Sequence, residues 1–332
     1  MITQEQIARK LGISRQLVSF ALSGYPNVAE TSRQRILTTA REMGYRPNPH
    51  ARALKNGRTG IVALWVPDQI SSHYTQVARQ LSRLVKRAKQ ELVISEVGSL
   101  KSEQVLSHVP VDGIFAVDAA RQVLMHLKSP QSSAPVISMG AEFCERADYV
   151  RVDLGHGARE AMQHLIDAGY RRIVHATFMP STHPHAGRRT AYKEAMIAAG
   201  LEPEFFIYPL VEEQRAVVRR LIRNFIKRRG KPEAIFCHSD DVAIGIYRGL
   251  CDMKIRVPAE IALVGCDGIE DTRYLECPIT TLVQPVEEMC TTAWKFLENR
   301  LNNPATKPQC AELKPRLTIR ESSPSFSGTV LE

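Results

Sequence analysis

The chain has 332 residues, of which 44% are hydrophobic and 24% charged, and a formal net charge of +9. That length exceeds one small core and predicts two or three folding units, each with an ordinary interior. The longest apolar runs, such as IVALWV at 61–66, fall far short of the roughly 20 residues of a membrane helix, and the start MITQEQIARK has no hydrophobic signal region, so a cytoplasmic protein is expected.

The charge is unevenly placed. Residues 1–60 hold ten Lys/Arg against three Asp/Glu, a surplus of seven, which leaves a surplus of only two for the rest of the chain. A positive field confined to one end points to a polyanionic partner met by that end; a solvated basic tail would give the same balance. Seven cysteines are scattered without a C-x-x-C pair or a histidine at zinc spacing. Reduced structural thiols are expected, and neither a metal nor a cofactor.

The N-terminal segment has helix grammar that a tail would lack. Thr3-x-x-Gln6 forms a capping box for a helix with Ile7, Ala8 and Leu11 on one face, and Gly12 supplies the positive φ that ends it. Ser14 caps a second helix, RQLVSFALSG, with Val18 and Leu22 on its buried stripe and Gly24 closing it. Two helices joined by the short LGIS turn make a helix-turn-helix. A third helix begins near ETSRQRI, where Thr31-x-x-Gln34 repeats the capping pattern, and Ile36, Leu37, Ala40 and Met43 cover the first two. So small a core is marginal alone, and ordering on a partner is expected.

In a helix-turn-helix the start of the second helix enters the major groove. Here that places Arg15, Gln16, Ser19 and Phe20 as candidate base readers. Arginine can give two hydrogen bonds to guanine, glutamine can pair with the adenine edge, and an aromatic ring can lie on a thymine methyl; each good bidentate contact discriminates by about 1–3 kcal/mol. A protein-interaction module with solvated polar residues is the competing reading. Next comes NPHARALKNGRTG at 48–60, with Arg52, Lys55, Arg58 and the titratable His50 around one large apolar residue, Leu54.

The run I-A-x-x-L-G-I-S-x-x-x-V-S-x-A-L and the closing G-Y-R-P-N-P-x-A-R-x-L resemble the DNA-binding headpiece of the lactose and galactose repressor family. The resemblance implies that the segment after the third helix folds on operator DNA as a hinge helix. That helix pairs with its twin across a dimer axis and pushes a leucine between central base pairs from the minor groove. The matching residue is Leu54. Such wedges repay the unstacking they cause by letting a bent duplex touch more protein. A linker with an incidental leucine is the alternative. Carried over residue by residue, the resemblance implies DNA contacts by Thr3, Ser14, Arg15, Gln16, Ser19, Phe20, Ser23, Asn27, Tyr45, Asn48, His50, Ala51, Leu54 and Lys55. Phe20 stands where the family usually has a polar or basic reader, and Ala29 replaces the usual serine cap, so the third helix is expected to start later, at Thr31.

From Gly60 on, β-branched runs (IVALWVPD, ELVISEV, DGIFAVD, PVISMG, YVRVD, RRIVHATF, FFIYPLV, AIFCHSD, IALVGCDG, ITTLVQP and KPRLTIRE) alternate with helical stretches at 73–90, 156–169, 187–200, 213–229, 241–253 and 286–301. Alternation of this kind means parallel sheets covered on both faces, with enough strands for two lobes and ligands beyond the strands' carboxyl ends. HLIDAGYRRIVH, AIFCHSDDVAIGIYRGL, VPAEIALVGCDGIED, ITTLVQPVEEM and LKPRLTIRESS resemble the effector-binding core of the same family, which is similar to periplasmic sugar-binding proteins.

The resemblance therefore implies an all-α helix-turn-helix headpiece (1–46), a hinge (47–60) and an α/β, two-lobed, periplasmic-binding-protein-like core (61–332). Three crossovers near Asp153, Gln284 and Ile319 would put 61–153 and 286–318 in lobe 1, and 154–284 and 319–332 in lobe 2. The stretch from Leu92 to Val111 is shorter than the family allows, so one helix there is expected to be lost or trimmed.

The implied effector residues are His73, Tyr74, Asp118, Met139, Arg188, Val211, Asp240 and Asp267. A guanidinium fork that donates, carboxylates that accept and a ring for apolar contact make a polyol site. Structural roles compete: Asp240 as a helix cap, Asp267 as a turn cap, and one of Arg188 and Arg189 solvated. Val211 replaces an aromatic ring that many relatives supply, and His183 and His185 are either ligand contacts or surface residues.

The expected protein is thus a dimeric repressor of a pseudopalindromic operator, controlled by a sugar-like or related metabolite, with no tail-mediated tetramer because SSPSFSGTVLE lacks leucine heptads. One rival is an enzyme using Asp240, Asp241 and Asp267, opposed by the absence of a G-x-S-x-G turn, a Walker A loop or a paired-histidine motif. Another is a solute-binding protein, opposed by the basic headpiece and the lack of a signal peptide.

Overall fold

The computed structural model describes residues 2–45, 58–67, 71–97, 110–130, 134–178 and 187–323. Two compact units divide the chain, 1–59 and 60–332.

The first unit holds α1 (Gln4–Leu11), α2 (Arg15–Leu22) and α3 (Glu30–Glu42). Local chemistry sets its helix ends. Thr3 and Gln6 close a reciprocal capping box, with the Thr3 amide donating to Gln6 Oε1 at 2.9 Å, and Gly12 ends α1 at φ +64°. Ser14 Oγ accepts from the Leu17 amide at 3.1 Å. Ile7, Ala8, Val18, Ala21, Val28, Ile36 and Ala40 form the small shared core. The expected late start of α3 is corrected: the helix begins at Glu30, directly after Ala29, without a side-chain cap, and Thr31 lies inside its first turn. Glu30 brings a negative charge to the helix N-terminus, and Gln34, four residues on, donates to Glu30 Oε1 at 2.8 Å instead of serving Thr31. Arg33 donates to the carbonyls of Ala21 and Tyr25, which ties α3 to the end of α2.

The second unit runs β1 (Ile61–Val66), α4 (Ser72–Arg87), β2 (Glu91–Glu96), β3 (Gly113–Val117), α5 (Ala120–Lys128), β4 (Val136–Gly140), β5 (Asp148–Val152) and α6 (Leu154–Asp167). It continues with β6 (Ile173–Thr177), α7 (Gly187–Ala198), β7 (Glu204–Ile207), α8 (Gln214–Arg229), β8 (Ala234–Cys237), α9 (Asp240–Asp252), β9 (Ala262–Asp267), β10 (Thr280–Val283), α10 (Val286–Asn302), β11 (Cys310–Leu313) and β12 (Arg316–Thr318). Two six-stranded sheets result, ordered β11-β5-β4-β3-β1-β2 and β12-β10-β9-β8-β6-β7. Their central strands are buried along their whole length, which is why they read as continuous apolar runs and pair in parallel under helices on both faces. Only β12 runs antiparallel to its neighbour, β10, among the described pairings.

The chain passes between the lobes three times: at Asp153 before α6, at Gln284 before α10, and at Lys314–Pro315. The third passage differs from the expectation near Ile319. Leu317 pairs with Leu282 in the second sheet, so residues 316–318 belong to lobe 2. β11 and α5 are additions to the sequence-based pattern, and 98–109, where a trimmed helix was expected, lies outside the described residues. On the second lobe α8 and α9 approach closely: a Cβ on Gly245 would lie 2.5 Å from the Arg215 carbonyl oxygen, and one on Gly249 would lie 2.7 Å from that of Arg219.

Candidate functional site

The carboxyl ends of both sheets open on a cleft of about 1350 Å³ between the lobes. Strand ends are where a doubly wound sheet gathers loop side chains, and this cleft follows that rule. Lobe 1 supplies His73 and Tyr74 from the first turn of α4, Asp118 after β3 and Glu142 after β4; lobe 2 supplies Phe178, Arg188, Tyr208, His238, Asp267 and Gln284.

Arg188 is held rigidly. Its Nη1 donates to the His238 carbonyl at 2.7 Å and to Cys266 Sγ at 3.5 Å, while Nη2 lies 2.7 Å from His238 Nε2. Since guanidinium only donates, Nε2 accepts, and the His238 ring carries its proton on Nδ1, 3.4 Å from Thr177 Oγ1. Arg189 takes no part: its guanidinium lies 3.8 Å over the Phe205 ring.

Two carboxylates face the cleft from strained backbone, Asp118 at φ +47° and Asp267 at φ +126°. Asp118 accepts from Tyr74 Oη at 3.2 Å and the Glu142 amide at 2.8 Å, and Asp267 accepts from Gln284 Nε2 at 2.9 Å. Burial pushes the carboxyls of Asp267 and Glu142 up to about 7. His73 is 4% exposed, both its ring nitrogens lack a hydrogen-bond partner, and burial lowers its pKa so that the ring stays neutral. Tyr208 Oη is likewise buried and unpartnered. Leaving a buried polar group unmatched costs about 1–3 kcal/mol, so these atoms favour a ligand that hydrogen-bonds to them.

Two expected residues stand elsewhere. Asp240 is fully buried and turned into its own lobe, where it accepts from the amides of Gly268 (2.7 Å) and Ile269 (2.9 Å) and from Thr281 Oγ1 (2.6 Å). It pins the β9–β10 loop to the start of α9. Met139 is fully buried in the core because β4 is covered on both faces. Val211 does line the cleft, at its rim and 38% exposed. His183 and His185 lie outside the described residues.

The sequence reading missed a bridge across the cleft. Ser72 donates to Asp241 from its amide (3.1 Å) and hydroxyl (2.9 Å), joining lobe 1 to lobe 2. Arg215 backs the same carboxylate at 2.7 Å and also donates to Ser72 Oγ and Asp271 Oδ2, each at 2.9 Å. The doubled aspartate in SDD was the available signal, since adjacent residues at a helix start point about 100° apart and one of them must face elsewhere.

In the headpiece, Arg15 and Gln16 are exposed on the first turn of α2, whereas Ser19 and Phe20 are half-buried. The Phe20 ring stacks on Tyr25, with centroids 4.8 Å apart. Thr3 and Ser14 act as caps, Ser23 and Asn27 are exposed, and Tyr45 Oη accepts from Gln4 Nε2 at 3.1 Å. Asn48, His50, Ala51, Leu54 and Lys55 lie outside the described residues.

Among the described residues no helix is long and apolar enough to cross a membrane, and no group of three potential metal ligands occurs. A family model described as a periplasmic binding protein-like domain matches residues 162–323. The ribose operon repressor of Haemophilus influenzae is 28% identical over 97% of this chain and 98% of its own length. The solved structure of the transcriptional regulator CelR in complex with cellobiose is 25% identical with a TM-score of 0.68, covering 97% of this chain and 100% of that one. The lac repressor dimer bound to operator and an anti-inducer is 17% identical with a TM-score of 0.76, covering 97% and 99%, and is similar in fold.

Proposed function

The chain belongs to the lactose/galactose repressor family, and from that premise we propose that its cleft residues and headpiece residues act together as one ligand-controlled DNA switch. The protein is a DNA-binding transcriptional regulator that acts as a dimer on operator DNA under a small-molecule effector. It works as a repressor by binding, not as an enzyme.

The observation that carries this reading is a basic helix-turn-helix unit, with Arg15 and Gln16 exposed on a capped α2, on the same chain as a two-lobed cleft bridged by Ser72 and Asp241. Arg15 and Gln16 read base edges in the major groove. Phe20, stacked on Tyr25, offers an apolar edge to a thymine methyl and no hydrogen bond. Leu54 is the minor-groove wedge. Arg188, Asp118, Asp267, His73 and Tyr208 hold the effector, and the Ser72–Asp241–Arg215 bridge favours the closed arrangement of the lobes. An effector that binds one arrangement better shifts the population toward it, and the operator affinity follows.

Selection of bound sequences from random duplexes by the full chain, at two salt concentrations, tests the reading. An enriched pseudopalindrome whose binding falls when Arg15→Ala or Gln16→Ala is introduced supports it. Salt-sensitive retention without an enriched sequence would leave generic backbone attraction only and would remove the operator from the account.

A further inference from the structure

The effector reading of the cleft leaves the ligand's chemical class open, and the charges lining it narrow that class. Resting on that reading, we propose that the effector is a cationic hydroxylated molecule, an amino sugar or aminated polyol, whose ammonium is met by Asp118 and Asp267 while Arg188 grips its hydroxyls.

Among the described lining residues, eight carboxylates (on Glu96, Asp118, Glu142, Glu212, Glu213, Asp241, Asp267 and Asp271) face two guanidiniums, Arg188 and Arg215. Arg215 is paired with Asp241 and Asp271 at the bridge. Arg188 spends three donor contacts on the neutral His238 carbonyl, His238 ring and Cys266 and keeps its remaining N–H groups for a ligand, while its charge is the one that reaches Asp118 and Asp267. Asp118 and Asp267, one from each lobe, accept hydrogen bonds only from neutral donors: a tyrosine hydroxyl and an amide for the first, a glutamine for the second. Asp267 is only 6% exposed, so water does little to screen its charge. One guanidinium, Arg188, stands against these two carboxylates, and a ligand ammonium balances the surplus.

The second line is independent of the acids. His73 lines the same cleft with both ring nitrogens buried and unpartnered, and Tyr208 Oη is in the same condition. A neutral imidazole has one nitrogen that accepts and one that donates, so it suits an ammonium or hydroxyl on one side and a hydroxyl on the other. A phosphorylated sugar would instead set its negative charges against Asp118, Glu142 and Asp267.

The test is calorimetric titration of the full chain at pH 7 with matched probes: glucosamine, galactosamine and mannosamine, their parents glucose, galactose and mannose, and glucosamine 6-phosphate. The expected result is that at least one aminated sugar binds about tenfold or more tightly than its parent, with the phosphate weaker than glucosamine. Asp118→Asn and Asp267→Asn should each shrink that preference, and two variants in different lobes guard against the misfolding of one. Aminated probes that bind no better than their parents, or a phosphate that binds best, would overturn the proposal. The same samples are titrated with the selected duplex. A chain that binds the duplex but prefers neutral sugars loses only the amine assignment, whereas a chain that binds no selected duplex loses the effector reading itself.

Discussion

His175 shows how a single buried side chain couples this fold to pH. Its Nδ1 donates to the Phe236 carbonyl at 3.0 Å, its ring stacks on Phe236 at 4.9 Å, and Nε2 has no partner. Burial lowers its pKa to about 3, so the folded state refuses a proton that the unfolded chain accepts below its ordinary value near 6.5. The stabilisation is therefore fully present above about pH 6.5 and falls by about 1.4 kcal/mol per pH unit below it. Glu142, Asp240 and Asp267 act in the opposite sense, because their carboxyls are raised to about 7 and the folded state takes up protons first. Comparison with a variant isolates the histidine. Urea unfolding at pH 7.5 and 5.5 should show His175→Phe losing less stability on acidification than the wild type, by about 1 kcal/mol or more.

The same scale shows where sequence reading stopped. Arg188, Asp118 and Asp267 were placed by the family resemblance, and the structure brings them to one cleft with His73 and Tyr74. Asp240 and Asp241 could not be sorted, because the choice depends on how the start of α9 is rotated about its axis. Met139 lies inside a strand whose burial on both faces is a property of the packed sheet, not of the local run.

At the scale of elements, the caps of α1 and α2 were legible, since a side chain reaching its own backbone needs only neighbours, whereas the same pattern at Thr31 and Gln34 lies inside α3 and caps nothing. Thr3→Ala removes the half of the capping box in which Thr3 Oγ1 accepts from the Gln6 amide and should cost the headpiece about 1 kcal/mol, read from the denaturation midpoint of the full chain's first transition. The α8–α9 crossing was not legible, because Gly245 and Gly249 look like ordinary helix-weakening glycines until a second helix is laid on them. Gly245→Ala forces a methyl against the backbone of Arg215 and should destabilise the core by about 1–3 kcal/mol in urea unfolding. A neutral or stabilising result would mean that the helices separate without cost. β11 escaped notice for another reason. It is a short edge strand whose place depends on distant Asp148, which accepts from Arg300 at 2.7 and 2.9 Å and from the Gln309 amide at 2.8 Å.

For the whole molecule, alternation of strands and helices was enough to foresee two lobes, and the charge surplus of the first sixty residues was enough to foresee a polyanionic partner. The third interlobe passage was misplaced by a few residues, because β12 joins the second sheet antiparallel and its partner cannot be read from its own residues. The bridge of Ser72, Asp241, Arg215 and Asp271 was invisible for the same reason: its members lie far apart in the chain and meet only when the lobes do. A lobe equilibrium of this kind passes to the DNA only what its two states differ by in free energy.

The most direct measurement is the operator affinity of Asp241→Ala beside the wild type, by anisotropy with the selected duplex over a range of salt. A change of about threefold or more in affinity with the salt slope unchanged is expected, since the phosphate contacts belong to the headpiece. An unchanged affinity in a correctly folded dimer would contradict the central claim that the cleft's closure and the headpiece's grip on DNA are one equilibrium.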